Sequence, residues 1–285
     1  MLRKIGEYFF ENGESVEYFY CSSDATSLDG VGLPEHNIAI VDGTAPHTME
    51  AHLPSVTAKI YNLGECIGDD IIKHHDILQE LAKEKQSLYA SIYKYLAIAK
   101  ESMLCCQPYF DINHSLGQEL LKKLDPKPFA STGSLRHLFL NYWNTKSKSS
   151  LAKMNNFSKT YYLDDNIFSI DANMQFLADA MSKKGYDVIL FHNTILPDLV
   201  SSLYLPQLNI FINSREKDTF KSSQTALHLQ VSNEYQKLVS KTLARTKTVH
   251  KEIEKYYIQN VDFDELNRIT AKIIGNIENR IECNS

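Results

Sequence analysis

A repeat at a constant offset of 172 residues constrains the fold of this 285-residue chain more than any other feature. The segment that starts at Gly13 aligns, without a gap, with the segment that starts at Gly185. Repetition over such a length indicates a duplicated structural unit. The identical pairs include Gly13 and Gly185, Val16 and Val188, Phe19 and Phe191, Leu33 and Leu205, Pro34 and Pro206, Asn37 and Asn209, Ile38 and Ile210, and Ile40 and Ile212.

Each repeat has the same predicted order of elements: helix, strand, loop, strand. Helical spacing of apolar residues opens both repeats (Leu2, Ile5 and Phe9; Met174, Leu177 and Met181). Gly13 and Gly185 follow where a helix C-cap glycine belongs. Apolar strands are predicted at 16–20 and 38–41, and again at 188–192 and 210–212. Short apolar strands alternating with helices predict an α/β fold with parallel sheets covered on both faces.

Long helices follow the strands in each repeat. Apolar residues near heptad spacing predict helices at 69–106 and 113–124, and then at 232–259 and 263–282. The predicted domains are a first α/β unit at 1–130 with a helical hairpin at 69–124, a connecting segment at 131–158, and a second unit at 159–285 with a hairpin at 232–282. Two arrangements remain open for the long helices: a projecting hairpin, or bent helices folded over the sheets.

Composition excludes several classes of function. A net charge of −5 argues against binding to nucleic-acid backbones in general. The lysines between Lys146 and Lys159 are interpreted as a solvated linker, with RNA contact as the alternative. No apolar run is long enough for a signal peptide or a membrane span. The 5 cysteines, odd in number and without a C-x-x-C pair, favour a reducing cytoplasm over a disulfide framework or a zinc site.

The stretch from Cys21 to His47, CSSDATSLDGVGLPEHNIAIVDGTAPH, resembles a poorly characterised bacterial family of tandem P-loop proteins. Its members are usually labelled ATPase or nucleotide kinase. The segment DGTAPH is the most specific part of the match, and YNLGE at Tyr61 and RHLF at Arg136 extend it. The resemblance implies tandem P-loop NTPase-like units that bind ATP and Mg²⁺, without indicating a substrate.

In that family a strand and a loop of the form G-x-x-x-x-G-K-[ST] precede the helix that opens this chain. The amides and lysine of the loop surround the phosphates, and its hydroxyl binds magnesium. Met1 lies within that helix, so the first repeat has no such loop here. We therefore expect that the natural start lies upstream or that the gene has lost its beginning. Either way, the strands that would flank the absent strand should show unpaired backbone or make an alternative pairing.

The second repeat retains the region of the loop, but its residues have changed. The offset places Asp164 and Ser169 at the two glycines, Ile170 at the lysine and Asp171 at the hydroxyl. Losing two charged hydrogen bonds costs roughly a thousandfold in affinity. The added acids repel phosphate as well. We therefore predict that neither repeat binds the phosphates of a nucleoside triphosphate as a P-loop does.

Asp42 is the leading candidate for catalysis in the first repeat. Four residues, Ile38 to Val41, end in this acid, as in a Walker B strand whose carboxylate holds magnesium. The alternative is an aspartate that caps the turn at Asp42–Gly43. His47 is a candidate general acid or base, or a sensor of the γ-phosphate, with a purely local hydrogen bond as its alternative.

The remaining candidates are predicted to contact the cofactor. Asp24 and Asp29 flank a Ser/Thr-rich loop that is predicted at the carboxyl end of a strand, where ligands bind in parallel sheets. Thr44 follows Asp42, and Arg136 has the chemistry to hold a phosphate. Solvated loop acids and an ordinary surface arginine are the alternatives.

The leading hypothesis is a P-loop NTPase-family protein, an ATPase or nucleotide-kinase-like protein by descent, that is inactive as this chain. The rival hypothesis is an inert scaffold that holds a protein partner through its helical hairpins.

Overall fold

A computed structural model describes residues 1–21, 26–44, 49–51, 53–143, 148–150, 157–216 and 223–284. Over these ranges the protein is α/β, with six helices, two main sheets and a short ribbon. The chain forms two compact units. Unit 1 comprises residues 1–87 and 245–285, and unit 2 comprises residues 88–244. No described helix is both long and apolar enough to cross a lipid bilayer.

Unit 1 opens with helix α1 (Leu2–Glu11) and an antiparallel sheet of three strands in the order β1-β2-β3. The strands are β1 (Glu17–Tyr20), β2 (Leu28–Leu33) and β3 (Ile38–Val41). Ile5 and Phe9 of α1 pack with Leu33 in one core cluster. Helix α6 (Phe263–Asn284) contributes Ile273 and Ile277 to the same cluster.

Unit 2 contains a mixed sheet of five strands in the order β4-β8-β9-β10-β7. Helices α3 (Ser115–Leu124) and α4 (Ile167–Lys183) pack together, and α4 lies on the sheet. A separate ribbon pairs β5 (Asn141–Trp143) with β6 (Lys148–Ser150). The strands of the five-stranded sheet are β4 (Leu135–Phe139), β7 (Lys159–Asp165), β8 (Val188–His192), β9 (Val200–Leu205) and β10 (Ile210–Glu216).

The repeat is confirmed as a helix followed by an antiparallel meander of three strands. The middle strands β2 and β9 begin and end at the offset of 172. Short 3-10 turns follow both, at Pro34–His36 and Pro206–Leu208. The pairing register also repeats. In the first repeat Glu17 of β1 lies opposite Gly32 of β2, and at the same offset Ile189 of β8 lies opposite Tyr204 of β9. Even the irregularity after Phe19 recurs after Phe191.

The predicted cap glycines are confirmed in both repeats. Gly13 and Gly185 have φ of +92° and +88°. The N–H of Gly13 donates to the carbonyl of Phe10, and the N–H of Gly185 donates to that of Ser182. The N–H of the residue after each glycine donates to the carbonyl five positions earlier, from Glu14 to Phe9 and from Tyr186 to Met181. This second hydrogen bond completes a Schellman motif.

The prediction of parallel sheets is wrong for unit 1 and only partly right for unit 2. The segments at 28–33 and 200–205, predicted as loops, form middle strands that run antiparallel to both neighbours. Parallel pairing in the described sheets joins β7 to β10 and β4 to β8. The reason is connection length, because parallel strands need a crossover of about a dozen residues or more. The links between β1, β2 and β3 are shorter than that.

The long helices are present, but their packing differs from two separate hairpins. Helix α2 (His75–Leu104) and helix α5 (Ser223–Asn260) each run through both units. Within unit 2, Ile92 of α2 packs with Val239 and Leu243 of α5. Within unit 1, Arg245 of α5 donates to Glu84 of α2 at 2.7 Å.

The observed units also differ from the predicted boundary at residue 130. Helix α3 packs on α4 in unit 2, and α6 packs with α1 in unit 1. Strand β4, in the predicted connecting segment, pairs with β8 in the sheet of unit 2.

Candidate functional site

The structure brings together the predicted residues Asp29, Asp42 and Thr44 at the end of the β2–β3 hairpin. Asp29 lies within β2, not in a loop, and its carbonyl accepts a hydrogen bond from the N–H of Asp42 at 2.8 Å. The Oδ1 atom of Asp42 accepts hydrogen bonds from the backbone N–H of Thr44, at 2.8 Å, and from its hydroxyl. Asp42 therefore closes a local turn at the strand end, and its role as a magnesium ligand stays a prediction.

The other predicted residues are not part of this arrangement. Asp24 and His47 lie outside the described residues. Arg136 is half-buried in β4 of unit 2, in register with Ile189 of β8. In the parts of the chain that the structure describes, no three His, Cys, Asp or Glu side chains are grouped to hold a metal ion.

The amino end of α4 is the position at which the sequence comparison of the repeats predicts the altered phosphate loop. Asn166 caps this helix, and its side-chain oxygen accepts hydrogen bonds from the N–H groups of Phe168 and Ser169, both at 3.1 Å. In an anion site, such amides point at the ligand. At α4, the side chain of Asn166 accepts the hydrogen bonds from these N–H groups instead.

The segment at residues 111–113 covers the same helix end. The carbonyl oxygen of Asp111 accepts hydrogen bonds from the amide of Asn166, at 3.2 Å, and from the hydroxyl of Ser169, at 3.1 Å. The N–H of Asn113 donates to the Ser169 hydroxyl at 3.0 Å. One turn further along, Asn173 accepts from the N–H of Gly117 at 2.7 Å. The first turns of α4 are thus tied to the chain that enters α3.

The two positions predicted to replace the lysine and the hydroxyl of the phosphate loop, Ile170 and Asp171, make packing and backbone contacts. Ile170 is fully buried in the core cluster between α4 and the sheet. Asp171 accepts a hydrogen bond from the N–H of Val200 at 2.7 Å, at the start of β9. Burial raises the pKa of the Asp171 carboxyl above its ordinary value, while the Val200 hydrogen bond opposes that shift.

Sequence reasoning missed a pair of histidines. The Nδ1 atom of His137, in the middle of β4, lies 2.9 Å from the Nε2 atom of His192, the last residue of the parallel strand β8. Within the described structure, the buried Nδ1 atom of His192 and the Oγ1 atom of Thr194 have no hydrogen-bond partner. In a hydrogen bond between two imidazole nitrogens, one ring donates its N–H and the other accepts. The only available signal was the RHLF motif, which contains His137 next to Arg136.

A cavity of about 370 Å³ lies elsewhere, along α5. It is lined by Ala226, Leu229, Gln230, Asn233, Glu234 and Lys237. The described lining residues all lie on one helix, and the cavity is an open groove.

No family model, curated protein or solved structure matches the chain. The class of protein is therefore defined by the fold: a two-unit α/β protein that carries a helix-and-meander unit twice. The amino end of α4 is closed by residues of the same chain.

Proposed function

We propose that this chain is a cytoplasmic, P-loop NTPase-like protein by descent that acts by binding a protein partner and does not turn over ATP. The observation that carries the proposal is the closed amino end of α4, where Asn166 and Asp111 use the groups that would face a phosphate. The resemblance of the stretch from Cys21 to His47 to tandem P-loop proteins supports the ancestry.

Binding a triphosphate at α4 would require several unfavourable changes. The hydrogen bonds from Phe168 and Ser169 to Asn166 would have to break, and the 111–113 segment would have to move. Ile170 supplies no positive charge, and Asp164 and Asp165 lie just before the helix. Each charged hydrogen bond that is not made costs about 1.5–3 kcal/mol.

The long helices support the binding role. Several large apolar side chains on α2 and α5 are exposed and therefore accessible to a partner. On α5 these include Leu227, 59% exposed, and Ile258, 58% exposed. We infer that the partner contacts these helices.

A second candidate function places ATP and Mg²⁺ in the first repeat, as an ATPase or nucleotide kinase. The observation that favours it is the proximity of Asp29 and Asp42, whose main chains are hydrogen-bonded at the end of β3. Magnesium in such sites is held by a few carboxylates together with phosphate and water. In this reading Asp42 holds the metal and Thr44 orients the carboxylate.

Titration of the full chain with Mg-ATP, combined with an assay of phosphate release, separates these functions. We expect no saturable heat and no phosphate above a protein-free blank. The matched variant is Asp42→Asn, which keeps the shape of the side chain and removes its charge. Turnover that disappears in Asp42→Asn would establish the second candidate, and turnover that persists in the variant would refute both assignments.

The binding role has its own test. Proteins that crosslink to the full chain are compared with those that crosslink to the variants Leu227→Lys and Ile258→Lys. We expect one partner to be recovered with the unmodified chain and lost with at least one variant. A control, Lys237→Gln, changes the charge on α5 without removing an apolar side chain. Partners that are insensitive to both apolar substitutions would contradict the assignment of the surface.

A further inference from the structure

The outer edge of β3 distinguishes the two repeats. In unit 2, β7 covers the equivalent edge of β10 and runs parallel to it, with Ile210 opposite Lys159 and Ser214 opposite Leu163. In unit 1, β3 is the last strand of its sheet, and the described residues place no strand beyond it. The same hairpin therefore occurs twice, with an added strand in unit 2.

The direction of the backbone groups on β3 follows from its pairing with β2. The N–H of Asp42 donates to Asp29, which fixes this residue as facing β2. Because successive residues of a strand direct their N–H and C=O groups to opposite sides, Ile40 also faces β2. Ala39 and Val41 then present their N–H and C=O groups to the open side. Their equivalents in unit 2 are Phe211 and Asn213, in the strand that pairs with β7.

The edge carries none of the features that usually protect an open strand. Proteins block such edges with charges, prolines or bulges. The four residues Ile38 to Val41 contain no charge and no proline, and their pairing with β2 has no register shift. Val41 is 45% exposed, while Ile40 packs against the core cluster of unit 1.

We propose that the β3 edge binds an extended peptide segment as a fourth, parallel strand, in the register that β7 has on β10. Strand β7 defines the chemistry of that segment. Its Leu163 is buried against Ile170 and Met174, and Tyr161 packs against the same cluster two residues earlier. The edge therefore accepts a segment with apolar side chains at alternate positions. This inference depends on the repeat geometry and not on the proposed loss of nucleotide binding.

A second copy of this chain is the competing occupant. Two β3 edges related by a twofold axis would pair antiparallel, as in an isologous interface. The internal example in unit 2 is parallel, and it favours the peptide segment.

A graft tests the proposal within the full chain. Residues 159–172 are copied in front of Met1, since the offset places residue 172 directly before the equivalent of Met1. We expect amide hydrogen exchange at Ala39 and Val41 to slow by about tenfold or more, which corresponds to about 1.4 kcal/mol of local stabilisation. The matched graft carries Tyr161→Pro and Tyr162→Pro in the copied segment. One of these two adjacent N–H groups faces β3, so this graft should give no protection.

The β3 edge itself is tested with Val41→Pro. This substitution removes an N–H from the open side of the strand and is tolerated on an edge strand. This substitution should abolish the effect of the graft. If the graft disrupts folding, as judged by exchange in α1, the free peptide KTYYLDDN is added to the unmodified chain and the same amides are followed.

Three results would overturn the proposal. In the first, Ala39 and Val41 exchange as slowly as Ile40 in the unmodified chain, which means that the edge is already covered. In the second, neither the graft nor the peptide slows their exchange. In the third, protection in the unmodified chain rises with protein concentration alongside dimer formation, which assigns the edge to a second copy.

Discussion

Asn37 and Asn209 adopt the same left-handed backbone conformation at equivalent points of the two repeats, with φ of 54° and 50°. Each ends a 3-10 turn, and each donates its N–H to the carbonyl of the proline that begins the turn. Asparagine is one of the few residues other than glycine that tolerates this conformation. The duplication has therefore preserved backbone conformation in detail, and the repeats can serve as internal controls for each other.

Alanine substitutions at the two cap glycines should have unequal effects. Both sites have positive φ, which costs an alanine about 1–2 kcal/mol. A Cβ at Gly185 would also lie 2.2 Å from the backbone nitrogen of Ala130, whereas a Cβ at Gly13 would meet nothing within 4 Å. We expect Gly13→Ala to cost about 1–2 kcal/mol and Gly185→Ala about 2–5 kcal/mol, measured by urea unfolding. Equal losses would contradict the close approach of Ala130.

Removing the cap of α4 should destabilise unit 2. Asn166→Ala leaves the N–H groups of Phe168 and Ser169 without their acceptor and removes the bond to Asp111. We expect a loss of about 2–3 kcal/mol, since caps contribute about 1 kcal/mol and the Asp111 contact adds to this. Asp262→Ala is the control, because Asp262 caps α6 at an exposed position. This control should cost about 1 kcal/mol, and equal effects would argue against the additional contacts at Asn166.

A lysine at position 170, where the proposed ancestry would place the lysine of a phosphate loop, should not create a nucleotide site. Ile170→Lys places an ammonium group in a fully buried position and should cost about 3–5 kcal/mol. The control is Ile170→Val, which keeps an apolar, β-branched side chain and should cost about 0.5–1.5 kcal/mol. Stability is measured by thermal unfolding, and nucleotide affinity by titration with Mg-ATP. A folded Ile170→Lys protein that gains affinity for ATP would refute the closed-site interpretation.

Asp187 should make unit 2 sensitive to acid. The hydroxyl of Ser134 at 2.6 Å, with its backbone N–H and the Gln207 amide, holds the pKa of Asp187 below its ordinary value of 3.8. Its stabilisation is therefore complete above the unfolded pKa and is lost as the pH falls through the lower folded pKa. The variant Asp187→Asn should differ from the unmodified chain at pH 6 by more than it does at about pH 2–3. Urea unfolding across this range measures the difference, and a constant difference would contradict the prediction.

Asp171 should show the opposite dependence. Burial raises its pKa, so its contribution is present below the unfolded pKa and is lost as the pH rises through the higher folded pKa. Asp171→Asn keeps an oxygen that can accept from Val200 and removes the charge. We expect this variant to gain stability relative to the unmodified chain between acid and neutral pH. A relative loss over that range would reverse the assigned cause of the shift.

The repeat, its cap glycines and the long helices could be predicted from the sequence because each leaves a local pattern. The middle strands could not, since β2 contains Gly30 and Gly32 and therefore lacks the usual appearance of a strand. Both glycines have a packing reason. A Cβ would lie 3.1 Å from the Ile40 carbonyl oxygen at Gly30, and 3.3 Å from the Phe19 ring at Gly32. A close backbone neighbour at Gly30 and a close aromatic ring at Gly32 thus favour glycine in a strand that otherwise has the composition of a loop.

The candidate site was less predictable because its contacts are between distant parts of the chain. The offset drew attention to Ile170 and Asp171, but it carried no information about Asp111, which comes from the segment before α3. His137 and His192 meet only because β4 and β8 pair in parallel. Asp29 was assigned to a loop because its neighbours are small and polar, whereas pairing with β3 places it in a strand.

The ties between Asp111, Asn113 and the start of α4 have a thermodynamic consequence. A helix end that holds an anion is stabilised in proportion to how much of that anion is present. Here the stabilising groups are covalently part of the polypeptide, so their effective concentration never changes. The order of this helix end therefore rests on hydrogen bonds within one polypeptide, and these bonds do not depend on the concentration of a dissolved anion.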